Sequence, residues 1–429
     1  MHNPRIISAE IVKTILEEKV FFSAMKAQIP EEHRAFVNAL VLSSLRNLVA
    51  LKKIMAKYVR KKIPHKHICA EYLLLLAINE ILCMNTAPYA VINETVKNIR
   101  LKTDSFLAGM ANAVLRKISA NAEAEKTFLQ KTSKLPDDFL LLLTESAYSA
   151  AEIQALSDTL TDIPPTDLSI KGIPSEWSKK LHGEIMPNGS IRLQFPEKIE
   201  TLEGYLPGEW WIQDVSASLA VQTLGEIKNK SVVDLCAAPG GKTAQLLAAG
   251  ADVTALDISE NRLNTLEENM KRLGFNDNVN IINADAQNFL RHNTKEFDVV
   301  LLDAPCSATG TLRRHPEIIH IKSQADVKAQ SLLQKELLHS AAEAVKKGGF
   351  LLYCVCSLSR FEGEWQIQTF LENHSEYKIV PISAKTISQY GSWENNPILE
   401  NGTVRTMPFY EKKRGGMDGF FISLMQRIY

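Results

Sequence analysis

Cysteine is scarce in this sequence, and long apolar runs are missing. Six cysteines in 429 residues are too few for a disulfide scaffold, which is typical of short secreted chains. No Cys-x-x-Cys pair is followed by a second ligand pair, so a structural zinc site is not expected. The most apolar stretch, residues 72–83, is broken by Asn79 and Glu80 and is too short to span a bilayer. Acidic residues near the N-terminus argue against a secretory signal. We therefore expect a reduced, cytoplasmic protein with no metal and no membrane segment.

An excess of charge of either sign is also missing, because 49 Lys and Arg residues balance 49 Asp and Glu residues. The total charge therefore neither predicts nor excludes a nucleic-acid partner. The distribution is uneven, however, since no Asp or Glu lies between His33 and Ala70. This segment contains a basic cluster, which consists of Lys52, Lys53, Lys57, Arg60, Lys61, Lys62 and Lys66. The cluster either contacts nucleic-acid phosphates or is a solvated helix face, and the sequence leaves both interpretations open.

The length of the chain favours two or three domains. The N-terminal part has helical periodicity, and the pattern becomes mixed, with turn signals, from about residue 167 onward. We predict an all-α domain over residues 1–125, a helical linker with a small mixed α/β subdomain over residues 126–228, and an α/β domain over residues 229–429. One apolar stripe at helical spacing in the first domain is Leu107, Met110, Val114 and Ile118, which indicates helix packing.

Short apolar strands alternate with helices in the C-terminal part of the chain. Such alternation predicts a Rossmann-like, doubly wound parallel sheet with helices on both faces. The predicted strands cover residues 231–236, 252–256, 279–282, 297–302 and 349–354. Ligands of such sheets bind beyond the carboxyl ends of the strands. The functional residues are therefore expected directly after each strand.

The first of these strands leads into a glycine-rich turn, Asp234-Leu235-Cys236-Ala237-Ala238-Pro239-Gly240-Gly241-Lys242-Thr243. Small residues let a ligand approach the backbone closely, and the following helix offers free N–H groups. A dinucleotide loop is excluded because Gly-x-Gly-x-x-Gly is absent. A Walker A loop is excluded because Cys236 stands where that loop requires its first glycine.

Three acids follow three successive strands and are expected to face this turn. Asp257 ends the second strand, where a ribose is usually held, Asp285 follows the third, and Asp303 ends the fourth. Each acid taken alone is explained as well by a helix N-cap or a turn. The three together suit an adenosine that carries a positive sulfonium. The sequence therefore predicts S-adenosylmethionine as the cofactor.

Cysteines follow the fourth and fifth strands, in the segments Asp303-Ala304-Pro305-Cys306-Ser307 and Tyr353-Cys354-Val355-Cys356-Ser357. A lone cysteine is usually a small buried hydrophobe, and Cys354 at its strand end fits that interpretation. A metal site is not expected, because no histidine lies nearby. Two cysteines beside a methyl donor fit methylation of carbon 5 of a cytosine that has left its stack. One thiolate adds to carbon 6 and activates carbon 5, and a second group assists release. On position alone, either Cys306 or Cys356 can be the nucleophile.

These motifs resemble those of the RNA 5-methylcytidine methyltransferases. The resemblance also covers Trp211-Ile212-Gln213-Asp214 and Gly416-Met417-Asp418-Gly419-Phe420-Phe421. Two N-terminal segments, residues 87–94 and 109–116, look like parts of a NusB-type helical RNA-binding domain. Together the matching segments extend over nearly the whole chain.

The resemblance implies functions for particular residues. It implies that Cys356 is the nucleophile and that Cys306 assists product release. One departure is Val355, where the family has threonine, so a hydroxyl near the nucleophile is lost. The implied cofactor site comprises Cys236, Ala237, Ala238, Pro239, Gly240, Gly241, Lys242, Asp257, Asp285 and Asp303.

The implied substrate is a cytidine of small-subunit ribosomal RNA, and we expect the chain to act as a monomer. Two alternatives remain open at this point. The same chemistry could act on transfer RNA, although the NusB-like segment argues against it. A non-catalytic RNA-binding factor would keep the basic helical domain, but it would not need the two cysteines and the three acids together.

Overall fold

The computed structural model describes residues 3–103, 105–194, 196, 198–293 and 296–429. These residues form two compact units. The first contains the described residues up to Asp162 together with Leu312–Ser323, and the second contains Ile163–Thr311 and Gln324–Tyr429. The predicted domain boundaries after residues 125 and 228 remain a prediction.

The first unit is helical, as predicted. Its helices are α1 (Pro4–Glu18), α2 (Glu31–Tyr58), α3 (Ile68–Cys83), α4 (Pro88–Lys102), α5 (Ser105–Ala120), α6 (Ala122–Lys131), α7 (Asp137–Glu145) and α8 (Ala150–Thr159). Helices α1 to α5 surround one apolar core, to which the predicted stripe contributes Leu107, Val114 and Ile118. Pro4 at the first position of α1 and Pro88 at that of α4 have the fixed φ that suits a helix start.

Helix α2 is long and apolar enough, by length and composition, to cross a membrane, and 56% of its most apolar window is buried inside the protein. The buried residues include Val37, Leu40, Leu51 and Ile54, which belong to the core of the helical unit. The apolar character of α2 is therefore accounted for by packing against the neighbouring helices.

The second unit begins with a small antiparallel sheet. Its elements are β1 (Thr166–Ile170), α9 (Pro174–Leu181), β2 (Glu184–Ile185), β3 (Ile191–Leu193) and β4 (Trp210–Ile212), with strand order β2-β3-β1-β4. A buried ion pair joins two of the strands, since Arg192 Nε lies 2.7 Å from Asp167 Oδ1 and neither side chain is exposed. The two side chains also bind residues outside this sheet. Asp167 Oδ2 accepts a hydrogen bond from the Val215 N–H, and Arg192 donates one to the Gly416 carbonyl. This pair therefore fixes the small sheet against the remainder of the unit.

A large mixed sheet forms the rest of the second unit. The elements in this part of the chain are α10 (Val215–Gln222), β5 (Ser231–Leu235), α11 (Gly241–Ala248), β6 (Asp252–Asp257), α12 (Glu260–Arg272), β7 (Val279–Asn283), α13 (Ala286–His292), β8 (Phe297–Asp303), α14 (Ile318–Ile321), α15 (Gln324–Glu343), β9 (Val345–Val355), α16 (Glu364–Asn373), β10 (Tyr377–Ile379), α17 (Ala384–Ile387), β11 (Val404–Thr406) and β12 (Phe420–Arg427). Of these, α14 belongs to the helical unit. The strand order is β10-β12-β9-β8-β5-β6-β7, and β11 pairs with β12. Apolar clusters cover both faces of this sheet.

The five strands that the sequence predicts are all present and parallel to one another. The expectation of a purely parallel sheet was incomplete, however, because β12 runs antiparallel to β9 and to β10 and β11. The sheet is therefore Rossmann-like with an antiparallel extension at one side. Since parallel strands carry their carboxyl ends to one edge, the turns after β5, β6, β8 and β9 meet there.

One short segment of the C-terminal sequence belongs to the helical unit. Residues 312–323 include α14, whose Ile321 joins the core of that unit. The buried Glu317 accepts a hydrogen bond from the Phe22 N–H at 3.2 Å. His320 Nε2 lies 2.8 Å from the Leu45 carbonyl, and burial lowers the pKa of His320 to about 4. These interactions make the segment an internal part of the helical unit.

Candidate active site

The glycine-rich turn after β5 forms one wall of the edge where the parallel strands end. Cys236 has φ 62° and Gly240 has φ 100°, and Gly240 is the N-cap of α11. The turn is held by the Ala237 N–H, which donates to the Leu256 carbonyl, and by the Ala238 N–H, which donates to Asp257 Oδ2. The Ala238–Pro239 peptide bond is cis. Gly241 begins α11, so the predicted cofactor turn lies at a helix N-terminus, as expected.

The three predicted acids differ in their surroundings. Asp257 is 2% exposed, and its two oxygens accept from the Ala238 and Ser259 N–H groups. Asp303 is partly exposed and ends β8 at the same edge. Asp285 is exposed and caps α13 by accepting from the Asn288 N–H at 2.8 Å. Asp285 is therefore the N-cap of a helix, which is the alternative that the sequence left open, although it also follows the end of β7.

Lys242 points across the turn to Asp303. Its Nζ lies 2.7 Å from Asp303 Oδ2 and 4.8 Å from the centroid of the Phe420 ring. Burial alone would lower the pKa of Lys242, but the ion pair with Asp303 outweighs it and holds the pKa above its ordinary value. Lys242 therefore stays charged and fixes the orientation of the Asp303 carboxylate.

Two further residues at this edge, Asp234 and Ile258, were not among the predicted cofactor residues. Asp234 on β5 is fully buried, and its Oδ2 accepts from Thr243 Oγ1 at 2.6 Å, but its Oδ1 has no hydrogen-bond partner among the described residues. Burial raises the pKa of Asp234 to about 7. Ile258, directly after Asp257, leaves its apolar side chain 70% exposed. An exposed apolar side chain suits a flat ring, and the small residues of the turn let a ligand approach the backbone closely, so this edge fits S-adenosylmethionine.

The two cysteines are brought into contact by the ends of β8 and β9. Cys306 Sγ lies 3.4 Å from Cys356 Sγ, and both residues are partly exposed. The hydrogen bond with Cys356 and burial raise the pKa of Cys306 well above its ordinary value. Cys354 is fully buried, as predicted, and its thiol donates to Asp303 Oδ1 at 3.4 Å. Val355 is also buried and packs in the apolar cluster on one face of the sheet.

The two remaining motifs, around Asp214 and Gly419, lie beside the loops that carry Cys306 and Cys356. The Gly419 N–H donates to the Gly310 carbonyl, and the Gly310 N–H donates to the Cys356 carbonyl, both at 2.9 Å. Asp214 caps α10, and its Oδ1 also accepts from the Asp418 N–H.

No group of three or more His, Cys, Asp or Glu side chains suited to a metal occurs in the ranges that the structure describes.

Comparisons with known proteins agree with this geometry. Residues 2–120 match the NusB family model, and residues 221–426 match the model of the 16S rRNA methyltransferase RsmB/F family. The ribosomal RNA small subunit methyltransferase B of Yersinia enterocolitica is 30% identical over 419 residues, which cover 94% of this chain and 96% of that protein. The chain belongs to the RsmB/F methyltransferase family. Its methyl donor is S-adenosylmethionine.

Another relative agrees with the family assignment, and solved structures share the fold. The enzyme of the same name from Yersinia pseudotuberculosis is 30% identical over 396 residues, which cover 88% of this chain and 92% of that protein. The crystal structure of PH0851 superposes with a TM-score of 0.74 at 23% identity and covers 99% of both chains. NSun6 from Pyrococcus horikoshii, solved with SFG, has a TM-score of 0.57 at 18% identity and covers 68% of this chain and 98% of its own. At these identities the structures show a shared fold.

Proposed function

We propose that this methyltransferase modifies carbon 5 of a cytidine in small-subunit ribosomal RNA, with Cys356 as the covalent nucleophile. The observation that carries the proposal is the contact between the Cys306 and Cys356 sulfurs, 3.4 Å apart, at the sheet edge that holds the glycine-rich turn. Carbons 5 and 6 of a cytosine are bonded neighbours, so groups that act on both must themselves be adjacent. Relatives named for small-subunit ribosomal RNA support this choice of substrate.

The proposed reaction has three steps, which are thiolate addition, methyl transfer and release of the product. The Cys356 thiolate adds to carbon 6 of the extruded cytosine, which turns carbon 5 into a nucleophile. S-adenosylmethionine supplies an electrophilic methyl group when it is bound. After carbon 5 has taken the methyl group, a base removes the carbon 5 proton. The carbon–sulfur bond then breaks, and its electron pair returns to Cys356. We assign Cys306, whose sulfur contacts Cys356, to this release step.

Two other functions fit the site less well. Transfer RNA could present a cytosine to the same cysteines, but the NusB-like match over residues 2–120 and the names of the relatives favour ribosomal RNA. A non-catalytic RNA-binding factor would not need two sulfurs in contact beside a cofactor turn. With ribosomal RNA as its substrate, the enzyme is expected in the cytoplasm.

The proposed function is tested by mapping 5-methylcytidine. Bisulfite sequencing of ribosomal and transfer RNA from cells with and without this protein should reveal one protein-dependent site in small-subunit ribosomal RNA. Incubation of the purified protein with that RNA and S-adenosylmethionine should restore the mark. A protein-dependent mark in transfer RNA alone, or no mark, would contradict the proposal.

We further propose that Asp257 holds the cofactor ribose, with Ile258 against the adenine. Asp257→Ala is then expected to lose about 1–3 kcal/mol of S-adenosylmethionine affinity, the usual contribution of a hydrogen bond to a charged group. Calorimetry measures this loss directly. Asp252→Ala, at the exposed opposite end of β6, is the matched control and should bind normally. Equal affinity in both variants would remove Asp257 from the site.

The basic cluster is proposed to contact RNA phosphates. Lys52 and Lys53 are exposed on α2, whereas Lys57 is paired with Glu125 at 2.7 Å. Reversing Lys52 and Lys53 to glutamate should weaken RNA binding and reduce the slope of log affinity against log salt by about 1 for each phosphate that is no longer neutralised. Reversal of the exposed Lys228 and Lys347 serves as the control. An unchanged slope in the first variant would show that the cluster is a solvated face.

A further inference from the structure

Glu362 lies between β9 and α16, and its side chain is fully buried. Its carboxylate accepts four hydrogen bonds. Oε1 accepts from the Ser307 N–H at 2.8 Å and from Gln334 Nε2 at 3.0 Å. Oε2 accepts from the hydroxyls of Ser307 and Ser357, both at 2.5 Å. Burial raises the pKa of Glu362, and the hydrogen bonds from Ser307 and Ser357 oppose that rise.

The partners of Glu362 are the residues that follow the two cysteines. Ser307 comes directly after Cys306, and Ser357 comes directly after Cys356. The two serine hydroxyls lie 3.1 Å apart, and Thr309 Oγ1 lies 3.2 Å from Ser357 Oγ. One carboxylate thus binds the turn after β8 and the turn after β9 at once. These strands are neighbours in the sheet, but their hydrogen-bonded ladder ends before the two cysteines.

A buried carboxylate is a costly way to join two loops. Removing such a charge from water costs several kcal/mol, and apolar packing would often be at least as stable. An apolar side chain, however, cannot fix the direction of two hydroxyls and a backbone N–H. The four donors fix the distance between the two turns, and the cysteine sulfurs that these turns carry lie 3.4 Å apart.

We infer that Glu362 is a positioning residue, which holds the Cys306 and Cys356 turns at the separation that the covalent reaction requires. This inference rests on the proposed roles of the two cysteines. In that reaction one sulfur must reach carbon 6 while the other acts beside carbon 5. A displacement of either turn by about 1 Å is enough to cost on the order of 100-fold in rate.

Two substitutions separate the hydrogen bonds of Glu362 from its charge. Glu362→Ala removes all four acceptors, so kcat is expected to fall about 100-fold, with unchanged KM for RNA and unchanged S-adenosylmethionine affinity. Glu362→Gln can still accept from the Ser307 N–H and Gln334, and its amide can donate to both hydroxyls. This variant should therefore retain most of kcat. Ser331→Ala is the matched control, because Ser331 binds the carbonyl of Phe361 and does not contact either cysteine turn.

A second measurement reports the sulfur separation without any methylation. Diamide oxidises two adjacent thiols to a disulfide and is itself reduced to the hydrazine. The two sulfurs need to close from 3.4 Å to about 2.05 Å, so the Cys306–Cys356 disulfide should form rapidly in the wild-type protein. It should form at least tenfold more slowly in Glu362→Ala and at a near-wild-type rate in Glu362→Gln and Ser331→Ala. Peptide mapping by mass spectrometry identifies the bond.

The outcomes distinguish the inference from the proposed function. Wild-type kcat and disulfide rate in a folded Glu362→Ala would overturn the inference, whichever base is methylated. A slow disulfide in Glu362→Ala would support the positioning role even if the product is not 5-methylcytidine. Thermal unfolding shows whether each variant folds. If Glu362→Ala does not fold, Glu362→Asp decides, because its shorter side chain keeps the charge but cannot reach both turns. Wild-type values in that variant would also overturn the inference.

Discussion

Cys356→Ala is expected to be inactive and to form no covalent complex with RNA, whereas Cys306→Ala is expected to accumulate one. Without the nucleophile no bond to carbon 6 can form. Without the group that assists release, the bond forms but is not resolved. Both changes should reduce turnover to background, which is the largest effect expected for any single substitution in this chain.

The structure supports this assignment of the two cysteines. The pKa of Cys306 is raised well above its ordinary value, first by its hydrogen bond with Cys356 and then by burial. A thiol with a raised pKa is a weaker nucleophile at neutral pH, because less of it is present as thiolate. This direction fits Cys306 in the release step rather than in the attack.

Denaturing electrophoresis with labelled RNA and S-adenosylmethionine measures the covalent complex. Cys83→Ala is the control, because this partly buried thiol packs against the core of the helical unit. A complex in Cys356→Ala but not in Cys306→Ala would show that the two roles are reversed. In that case Val355, the departure from the family motif, would be the first residue to change to threonine.

The site could be predicted from the sequence as far as it depends on parallel strands. Short apolar strands alternating with helices require a parallel sheet, and a parallel sheet brings its carboxyl ends together. Asp257, Asp303, Cys306 and Cys356 each follow a strand, so their common location follows from the chain order alone. The same rule could not distinguish Asp285, because a residue after a strand is often also the N-cap of the next helix.

Other features depend on interactions between distant parts of the chain. The antiparallel strand β12 pairs with β9, and nothing local in residues 420–427 specifies that partner. Residues 312–323 join the helical unit, although they lie within the C-terminal sequence. Glu362 lies outside the motifs from which the site was predicted, and one of the two serines that it binds, Ser307, is 55 residues away along the chain. Its contacts could therefore not be predicted from the local sequence.

The C-terminal motif and the cysteine turns meet at Gly310. Its N–H binds the Cys356 carbonyl, and its carbonyl binds the Gly419 N–H, both at 2.9 Å. A Cβ at position 310 would lie 1.8 Å from the Gly419 carbonyl oxygen and 3.0 Å from the Cys356 carbonyl oxygen. Both obstacles are backbone atoms, so no change of rotamer can relieve the clash. The need for glycine here is thus steric and arises from the close approach of three loops.

Gly310→Ala is therefore expected to separate the Gly419 loop from the turn that carries Cys356. A shift of about 1 Å at the nucleophile should reduce kcat about 100-fold, and overpacking should lower the free energy of unfolding by about 1–3 kcal/mol. Gly109→Ala is the control, since nothing lies within 4 Å of a Cβ at this position of α5 and alanine is the better helix former. Single-turnover methylation and thermal unfolding of both variants make the comparison. Full activity in Gly310→Ala would mean that the Gly419 loop can move away without displacing Cys356, and that its interaction with the catalytic turn is dispensable.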